Sequence, residues 1–374
     1  MSTPAIPSSL LATTPEELVP VLAEWNEKPF RAKQVLEWVY RKQAVTFEEM
    51  TSLSKPLQAA LAERFSLRTM KYAKVEGSED TTRKYLFKLH DGRFIETVLI
   101  PASKGLMGGR SDRRTLCVSS QVGCAYDCKF CASGLAGFTR NLTAGEIVEQ
   151  VMQVEKLASV RVDNIVFMGM GEPMANYANV TKAITILNAQ WGPNIGARHM
   201  TVSTSGLAPQ IRKLADIPLQ VRLAISLHGA SDAVRERIMP VNRKYPLEEL
   251  FSALEYWNER KKQYITFEFI LIKDVNDTPE QANLLGQRAA QLNAKVNLIP
   301  YNTVEGLTWE RPSERVQRAF RDTVASYDVM ATLRTEKGHD IAAACGQLRL
   351  KQETEDGIID SAIPEQRKTI AAGV

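Results

Sequence analysis

Cysteine is scarce in this chain. Five occur in 374 residues, an odd number and too few for a disulfide scaffold, which fits reduced surroundings. Histidine is scarcer still: His90, His199, His228 and His339 are scattered, and no second Cys-x2-Cys pair accompanies them. Long apolar runs are missing too. Nothing approaches the ~18 consecutive apolar residues of a membrane-spanning helix. Met1 to Leu11 has neither a basic leader nor a long apolar stretch, so it reads as a frayed cytoplasmic start rather than a signal peptide. Neither sign of charge dominates: 47 Lys and Arg against 43 Asp and Glu give +4. Solubility alone would set such a value, so charge barely bears on whether the partner is a nucleic acid. Repeats and low-complexity tracts are absent as well.

What is present divides into four parts. Residues 1–66 carry apolar residues at helical spacing, as in "EKPFRAKQVLEWVYRKQAVTFEEM", and predict a small helical accessory domain. Composition leaves packing and binding roles for it equally open. Residues 67–109 turn β-like: "KYLFKLHDGRFIETVLIP" is two strand-like runs around Asp91-Gly92, a strong hairpin signal. Across 110–350, Val/Ile-rich runs at 115–120, 164–169, 200–204, 221–227, 265–272, 296–300 and 329–334 alternate with helical patterns. Thr143 to Glu146 reads as a capping box that opens a helix with Ile147, Val151 and Val154 on one face. Others run about 177–189, 246–262, 279–292 and 313–326. Buried-type strands alternating with helices predict a parallel sheet with helices outside. Six units and a closing strand make the fold class α/β, a partial (β/α)6 barrel carrying the helical domain and the hairpin. Its reacting groups belong at the carboxyl ends of the strands. Residues 351–374 are polar and predict a loosely held tail.

Three of the five cysteines stand together. "CAYDCKFC" places Cys124, Cys128 and Cys131 in a C-x3-C-x2-C loop after the first barrel strand. Three thiolates in eight residues serve either a tetrahedral zinc or an iron–sulfur cluster. Zinc calls for a fourth ligand that the scattered histidines do not offer. A 4Fe-4S cluster held by three cysteines leaves one iron open, free to chelate S-adenosylmethionine and pass an electron to its sulfonium. That is the chemistry of a radical S-adenosylmethionine enzyme. Cys117 and Cys345 stand alone in sequence, one on the strand before this loop and one just after the last strand. A lone cysteine is more often core than catalyst.

The segments "TLCVSSQVGCAYDCKFCASG", "FMGMGEPMANYANV", "VSTSGLAP", "AISLHGA", "VNLIPYN" and "DIAAACGQL" together resemble the RlmN family, radical S-adenosylmethionine enzymes that methylate carbon 2 of adenosine in RNA. The likeness runs from "EKPFRAKQVLEWVY" to "CGQL". It implies an RNA-binding role for the helical domain and a radical S-adenosylmethionine barrel behind it. It implies 23S rRNA near the peptidyl transferase centre and the adenosine beside the tRNA anticodon as substrates. It further implies two molecules of S-adenosylmethionine per turnover and an electron donor such as a flavodoxin system. The missing apolar run and leader predict no membrane and a cytoplasmic setting, and nothing in the sequence requires more than a monomer.

Carbon 2 of adenine is electron-poor, which rules out direct attack on a sulfonium methyl. The resemblance implies a detour: Cys345 takes the first methyl group, a radical made at the cluster activates it, and Cys117 resolves the resulting adduct to a Cys117–Cys345 disulfide. Glu96 matches a glutamate assigned as a base. Gly171 and Glu172 of "GMGEP" match the segment that binds the amino group of S-adenosylmethionine. Ser203, the run Ser226-Leu227-His228, and Asn302 match contacts to its ribose, carboxylate and adenine. Basic groups at Arg110, Arg113, Arg114, Arg243, Lys244 and 260–262 are candidate RNA contacts. Three alternatives stay open: a Cfr-type enzyme acting at carbon 8, a radical enzyme on a non-RNA substrate, and a zinc-stabilised RNA-binding protein.

Overall fold

A computed structural model describes residues 8–78, 81–101, 113–134, 137–302, 307–334 and 347–358. The helical domain comprises α1 (Pro15–Glu24), α2 (Phe30–Tyr40) and α3 (Lys55–Arg64). Thr14 and Glu17 close a capping box on α1, satisfying two amide donors at the helix start. The domain is tied off by a short parallel pair, β1 (Ser8–Ser9) with β2 (Phe65–Ser66).

Ten strands then form one sheet. β3 (Met70–Gly77), β4 (Arg83–Leu89) and β5 (Phe94–Pro101) are antiparallel, and β5 pairs antiparallel with β6 (Arg114–Cys117). The β4–β5 turn falls at Asp91-Gly92 as expected, with Gly92 at φ +83°. β7 (Gln121–Gly123) and β8 (Phe138–Asn141) bracket the cysteine loop as a small separate ribbon. From α4 (Ala144–Ala158) onward strands and helices alternate: β9 (Asn164–Phe167), α5 (Tyr177–Asn188), β10 (Met200–Thr204), α6 (Ala208–Asp216), β11 (Arg222–Ser226), α7 (Asp232–Ile238), α8 (Leu247–Arg260), β12 (Thr266–Leu271), α9 (Pro279–Gln291), β13 (Lys295–Pro300), α10 (Glu314–Ala325), β14 (Ala331–Leu333). The order β14-β13-β12-β11-β10-β9-β6 is parallel throughout, giving six crossovers and a closing strand. The predicted α/β architecture holds.

Within the described residues, 351–358, the tail departs from expectation. α11 (Gln347–Glu355) crosses residue 351 as a helix, with Arg349 and Glu353 fully buried and paired at 2.8 Å. Glu353 accepts from the Phe94 amide at 3.0 Å. "QLRLKQETE" looks solvated because its anchoring is ionic rather than apolar; Leu348 joins Leu86 and Phe94 in a small cluster.

The two faces of β5 and β6 have different partners. Thr97 donates to Gln150 of α4 at 2.8 Å, so that face looks outward to the helix layer. Side chains alternate along a strand and paired residues share a face. Glu96, Val98 and Cys117 therefore look the other way, inward, with Val98 opposite Cys117 in the register.

Candidate active site at the strand ends

The cysteine loop is held by its backbone. Cys124 donates its amide to Gly137 O at 3.0 Å, Cys131 to Cys128 O at 3.0 Å, and Lys129 to Ile238 O at 2.9 Å. Gly123 sits at φ +76°, where a Cβ would stand 1.9 Å from Gly137 O, so the loop can close only on glycine. Cys124, Cys128 and Cys131 all line one wall of a cavity of about 360 Å³. Burial, reinforced by Cys131 and Glu172, pushes the Cys124 thiol up to about 12. Cys128 is raised well above its ordinary value for the same reasons. Thiols so placed ionise only when a cationic centre takes the charge.

The opposite wall is a ring of strand ends. Phe167, Gly171, Glu172, Ser203, Ser226, His228, Ile270 and Asn302 all reach the same space, although they come from β9 through β13. The sheet is thus curled around the cavity, as the barrel reading required. Glu172 is buried and accepts from the Ser205 amide at 2.7 Å and the Met174 amide at 3.0 Å, while its own amide donates to Gln121 Oε1 at 2.8 Å. Burial still raises its carboxyl above the usual range. Ser203 Oγ and Ser226 Oγ lie 3.4 Å apart. Asn302 Oδ1 accepts from Arg311 at 2.6 Å.

His228 occupies the left-handed region at φ +56°. Its Nδ1 accepts from the Ile270 amide at 3.0 Å, which leaves the proton on Nε2. Burial and the nearby Arg235 drive its pKa down to about 3, so the ring is neutral. Phe130 of the cysteine loop meets the ring edge-on at 4.7 Å. Leu227 differs from its neighbours: its side chain is fully buried, and its amide and carbonyl are engaged by Glu268 O and Arg235. It shapes the turn without lining the cavity.

Sequence reasoning missed two residues here. Glu268 on β12 lines the cavity with one carboxylate oxygen bonded to Asn297 at 2.9 Å; the other oxygen has no hydrogen-bond partner among the described residues. Arg235, buried in α7, donates to Leu227 O, Asn242 Oδ1 and Ser205 O, locking three loops at the cavity rim. An inward polar residue in the otherwise apolar "ITFEFILI" was the one available signal for Glu268. Arg235 in "DAVRERI" looks like any solvated arginine.

Beside the ring, Cys117 ends β6 in a buried position. Glu96, also buried, pairs with the buried Lys84 at 3.2 Å and accepts from the Arg349 amide at 2.7 Å. Cys345 and Arg110 lie outside the described residues; α11 begins two residues after Cys345 in sequence. Of the candidate RNA contacts, Arg113 is exposed, and Arg114 opens β6 with its amide bonded to Asp163 at 2.8 Å. Arg243 is paired with Glu236 at 2.8 Å; Lys244 is exposed, its ammonium over the Tyr245 ring at 5.4 Å. Arg260 lies 3.8 Å from Asp216. Lys261 turns inward, donating to the Ile217 and Leu219 carbonyls, and leaves the candidate surface.

The donors fit a cluster and a cationic cosubstrate. Three buried thiols share one wall, and buried carboxylates of Glu172 and Glu268 face the same space. Among the described residues no three His, Cys, Asp or Glu side chains converge on the position of a single ion. Cys124, Cys128 and Cys131 would instead each give one thiolate to an iron–sulfur cluster.

Residues 118–283 match the radical SAM superfamily, and residues 8–67 match the ribosomal RNA large subunit methyltransferase N-terminal domain. The probable dual-specificity RNA methyltransferase RlmN of Akkermansia muciniphila is 54% identical over 346 residues, spanning 92% of this chain and 96% of that one. The chain belongs to the RlmN family. The corresponding protein of Bacillus licheniformis is 46% identical, spanning 91% and 93% of the two chains. A crystal structure of a radical SAM methyltransferase from Sphaerobacter thermophilus superposes with a TM-score of 0.85 at 42% identity, covering 91% of this chain and 99% of that one. RlmN membership makes the fold a radical SAM fold and the chain an enzyme that uses a 4Fe-4S cluster and S-adenosylmethionine. α1 to α3 lie within the residues matched by that N-terminal domain. No helix among the described residues is long and apolar enough to cross a membrane.

Proposed function

We propose that this chain methylates carbon 2 of adenosine in RNA, acting on 23S rRNA at the peptidyl transferase centre and on tRNA beside the anticodon. One arrangement carries the reading. The inward face of β5 and β6 bears Glu96 and Cys117, β6 pairs with β9, whose Phe167 lines the three-cysteine cavity, and the helix that follows Cys345 docks on Glu96. Cys124, Cys128 and Cys131 would hold the cluster. Gly171, Glu172, Ser203, Ser226, His228 and Asn302 would surround S-adenosylmethionine, and Leu227 would set the turn that presents His228. Glu172 and Glu268 supply negative charge against its ammonium and sulfonium, and neutral His228 can donate from Nε2. When bound, the cluster supplies the electron that breaks the sulfonium bond to give methionine and a 5′-deoxyadenosyl radical.

The protein's own steps follow. The Cys345 thiolate displaces a methyl group from one S-adenosylmethionine. That S-methyl group gives a hydrogen atom to the 5′-deoxyadenosyl radical, and the S–CH2 radical left behind adds to carbon 2 of the adenine, so that protein and RNA are linked. The ring-centred radical then returns one electron, equal to the one that cleaved the sulfonium bond. Glu96 takes the proton from the ring carbon. The Cys117 thiolate attacks the sulfur of Cys345, the S–CH2 bond breaks, and the departing carbon takes a proton to become the methyl group, leaving a Cys117–Cys345 disulfide. Two S-adenosylmethionine molecules are used each turnover. The protein works as a cytoplasmic monomer and draws electrons from a flavodoxin-type donor.

The test is mass spectrometry of protein purified without oxygen and incubated with S-adenosylmethionine. The peptide carrying Cys345 should bear a methyl group, and digested product RNA should contain 2-methyladenosine. An unmodified Cys345 in cluster-loaded protein sinks the mechanism. 8-Methyladenosine in the product would move the reading to the carbon 8 enzyme.

A further inference from the structure

The opposite end of the barrel, where the parallel strands begin, carries a second concavity of about 770 Å³. Five cations line it: Arg198 two residues before β10, Arg222 opening β11, Arg260 and Lys262 before β12, and Lys295 opening β13. Among the described residues no carboxylate lines it. Arg260 has an acidic neighbour, Asp216 at 3.8 Å, and both are more than half exposed. Tyr264 stands among these cations at 56% exposure, with the Lys295 ammonium 4.6 Å from its ring centre. Five like charges on adjoining strand ends repel one another, and Asp216 and the Tyr256 and Tyr264 rings beside Arg260 and Lys295 offset this only in part.

We infer that this end of the barrel is a second RNA-binding surface, gripping the phosphate backbone of looped RNA away from the target nucleotide while Tyr264 offers a face for a base. The inference rests on RNA being the substrate. Cations interleaved with an exposed aromatic ring describe a single-strand site rather than a phosphate-ion pocket, because each kind of group meets one part of a nucleotide. The end face lies across the barrel from the cavity mouth, so only an RNA long enough to reach round the protein can touch both. For such an RNA the second contact acts at high effective concentration and strengthens binding without touching the chemistry.

The cluster-loaded protein carrying Arg222→Gln with Lys262→Gln should be titrated with a long mixed-sequence RNA across a salt series, beside the charge-keeping pair Arg222→Lys with Lys262→Arg. Losing two phosphate contacts should flatten the slope of log K against log salt by about 1–2, and the charge-keeping pair should retain it. Tyr264→Ala should weaken binding roughly tenfold with the slope unchanged. KM should rise on long RNA, with kcat unchanged and a short target hairpin unaffected. An unaltered slope and KM on long RNA would overturn the inference. So would unaltered RNA binding accompanied by slower turnover with a flavodoxin-type reductant but not with dithionite, which would make the surface a reductant dock. If the parent protein methylates neither RNA, the functional reading fails, while the salt slopes still decide this surface.

Discussion

Gly171 has room for nothing larger than hydrogen. Its φ is +98°, and a Cβ there would stand 2.5 Å from Gln121 Cβ and 2.9 Å from the Gln121 amide. Gly171→Ala therefore combines a backbone penalty of about 1–2 kcal/mol with an overlap that displaces Gln121. Gln121 in turn holds the Glu172 amide, so the loop that faces the cavity must shift. The expected result is a cluster-loaded protein whose affinity for S-adenosylmethionine falls at least about tenfold, read by anaerobic calorimetry. His228 gives a prediction in pH. It is held neutral down to about 3 in the folded protein, against an ordinary value of 6.5. A depressed histidine contributes stability that is complete above the unfolded pKa and is lost as pH falls from there toward the folded value. The loss runs at about 1.4 kcal/mol per pH unit, so roughly 2 kcal/mol disappears by about pH 5. His228→Asn tolerates the left-handed backbone, and its denaturant midpoint should be that much flatter with pH than the parent's. Glu96→Gln keeps an oxygen for the Arg349 amide but cannot take a proton. Turnover should fall by roughly 10²–10⁴ while the Cys345 peptide still acquires its methyl group. Spacing made the cysteine loop legible, because clustered ligands leave a pattern in sequence, whereas the glycine–serine–histidine ring was legible only through the resemblance to the RlmN family. Glu268 left only its place in an apolar strand, and Arg235 left none, since a buried charge and a solvated one are spelled with the same letter.

At the scale of elements, α4 is the piece whose surroundings its sequence understated. One apolar face was predicted, with Ile147, Val151 and Val154; the structure buries Glu146, Glu149 and Gln150 as well. Each of these has work in the fold. Glu149 accepts from the Thr69 amide at 2.9 Å, the Thr69 hydroxyl at 2.6 Å and the Met70 amide at 3.2 Å, clamping the chain between the helical domain and β3. Glu149→Ala strands those donors in a buried place, and a loss of about 2–4 kcal/mol is expected. Amide exchange at Thr69 and Met70 should accelerate before the core strands do, because the clamp is local. The seven parallel strands were legible as apolar runs, whereas β3 was not. "MKYAKVEG" is an edge strand, exposed along most of its length and charged in the manner that keeps edges from pairing with other chains. α7, with seven residues, is too short for a helical period to show.

At the scale of the whole molecule, the helical domain is part of the barrel's own packing. α4 lies against the sheet on one side, and its other side is covered from the N-terminus: a Cβ on Gly145 would stand 2.6 Å from Ser9 Oγ and 3.3 Å from Ala12 Cβ. Leu10, Leu11, Leu18 and Leu22 belong to the same continuous core as Ile147, Val148 and Val151. Polar ties follow the same path: Lys182 of α5 meets Glu17 at 2.6 Å, and Arg41 donates to Gln190 O at 3.2 Å. The surface ties are worth little, but the shared apolar core is worth about 1.5–3 kcal/mol for each side chain returned to water. Four leucines alone are then worth about 6–12 kcal/mol, comparable with the whole margin of about 5–15 kcal/mol that keeps most domains folded. A chain shortened to begin at Arg68 should therefore lose cooperative unfolding and bind a hydrophobic dye, rather than persist as an active barrel that merely binds RNA less well. Equilibrium urea unfolding separates these outcomes: a single transition with the parent's midpoint would show the domain to be a detachable RNA-binding module, and a broad, early transition would show that the family's N-terminal domain and barrel fold as one.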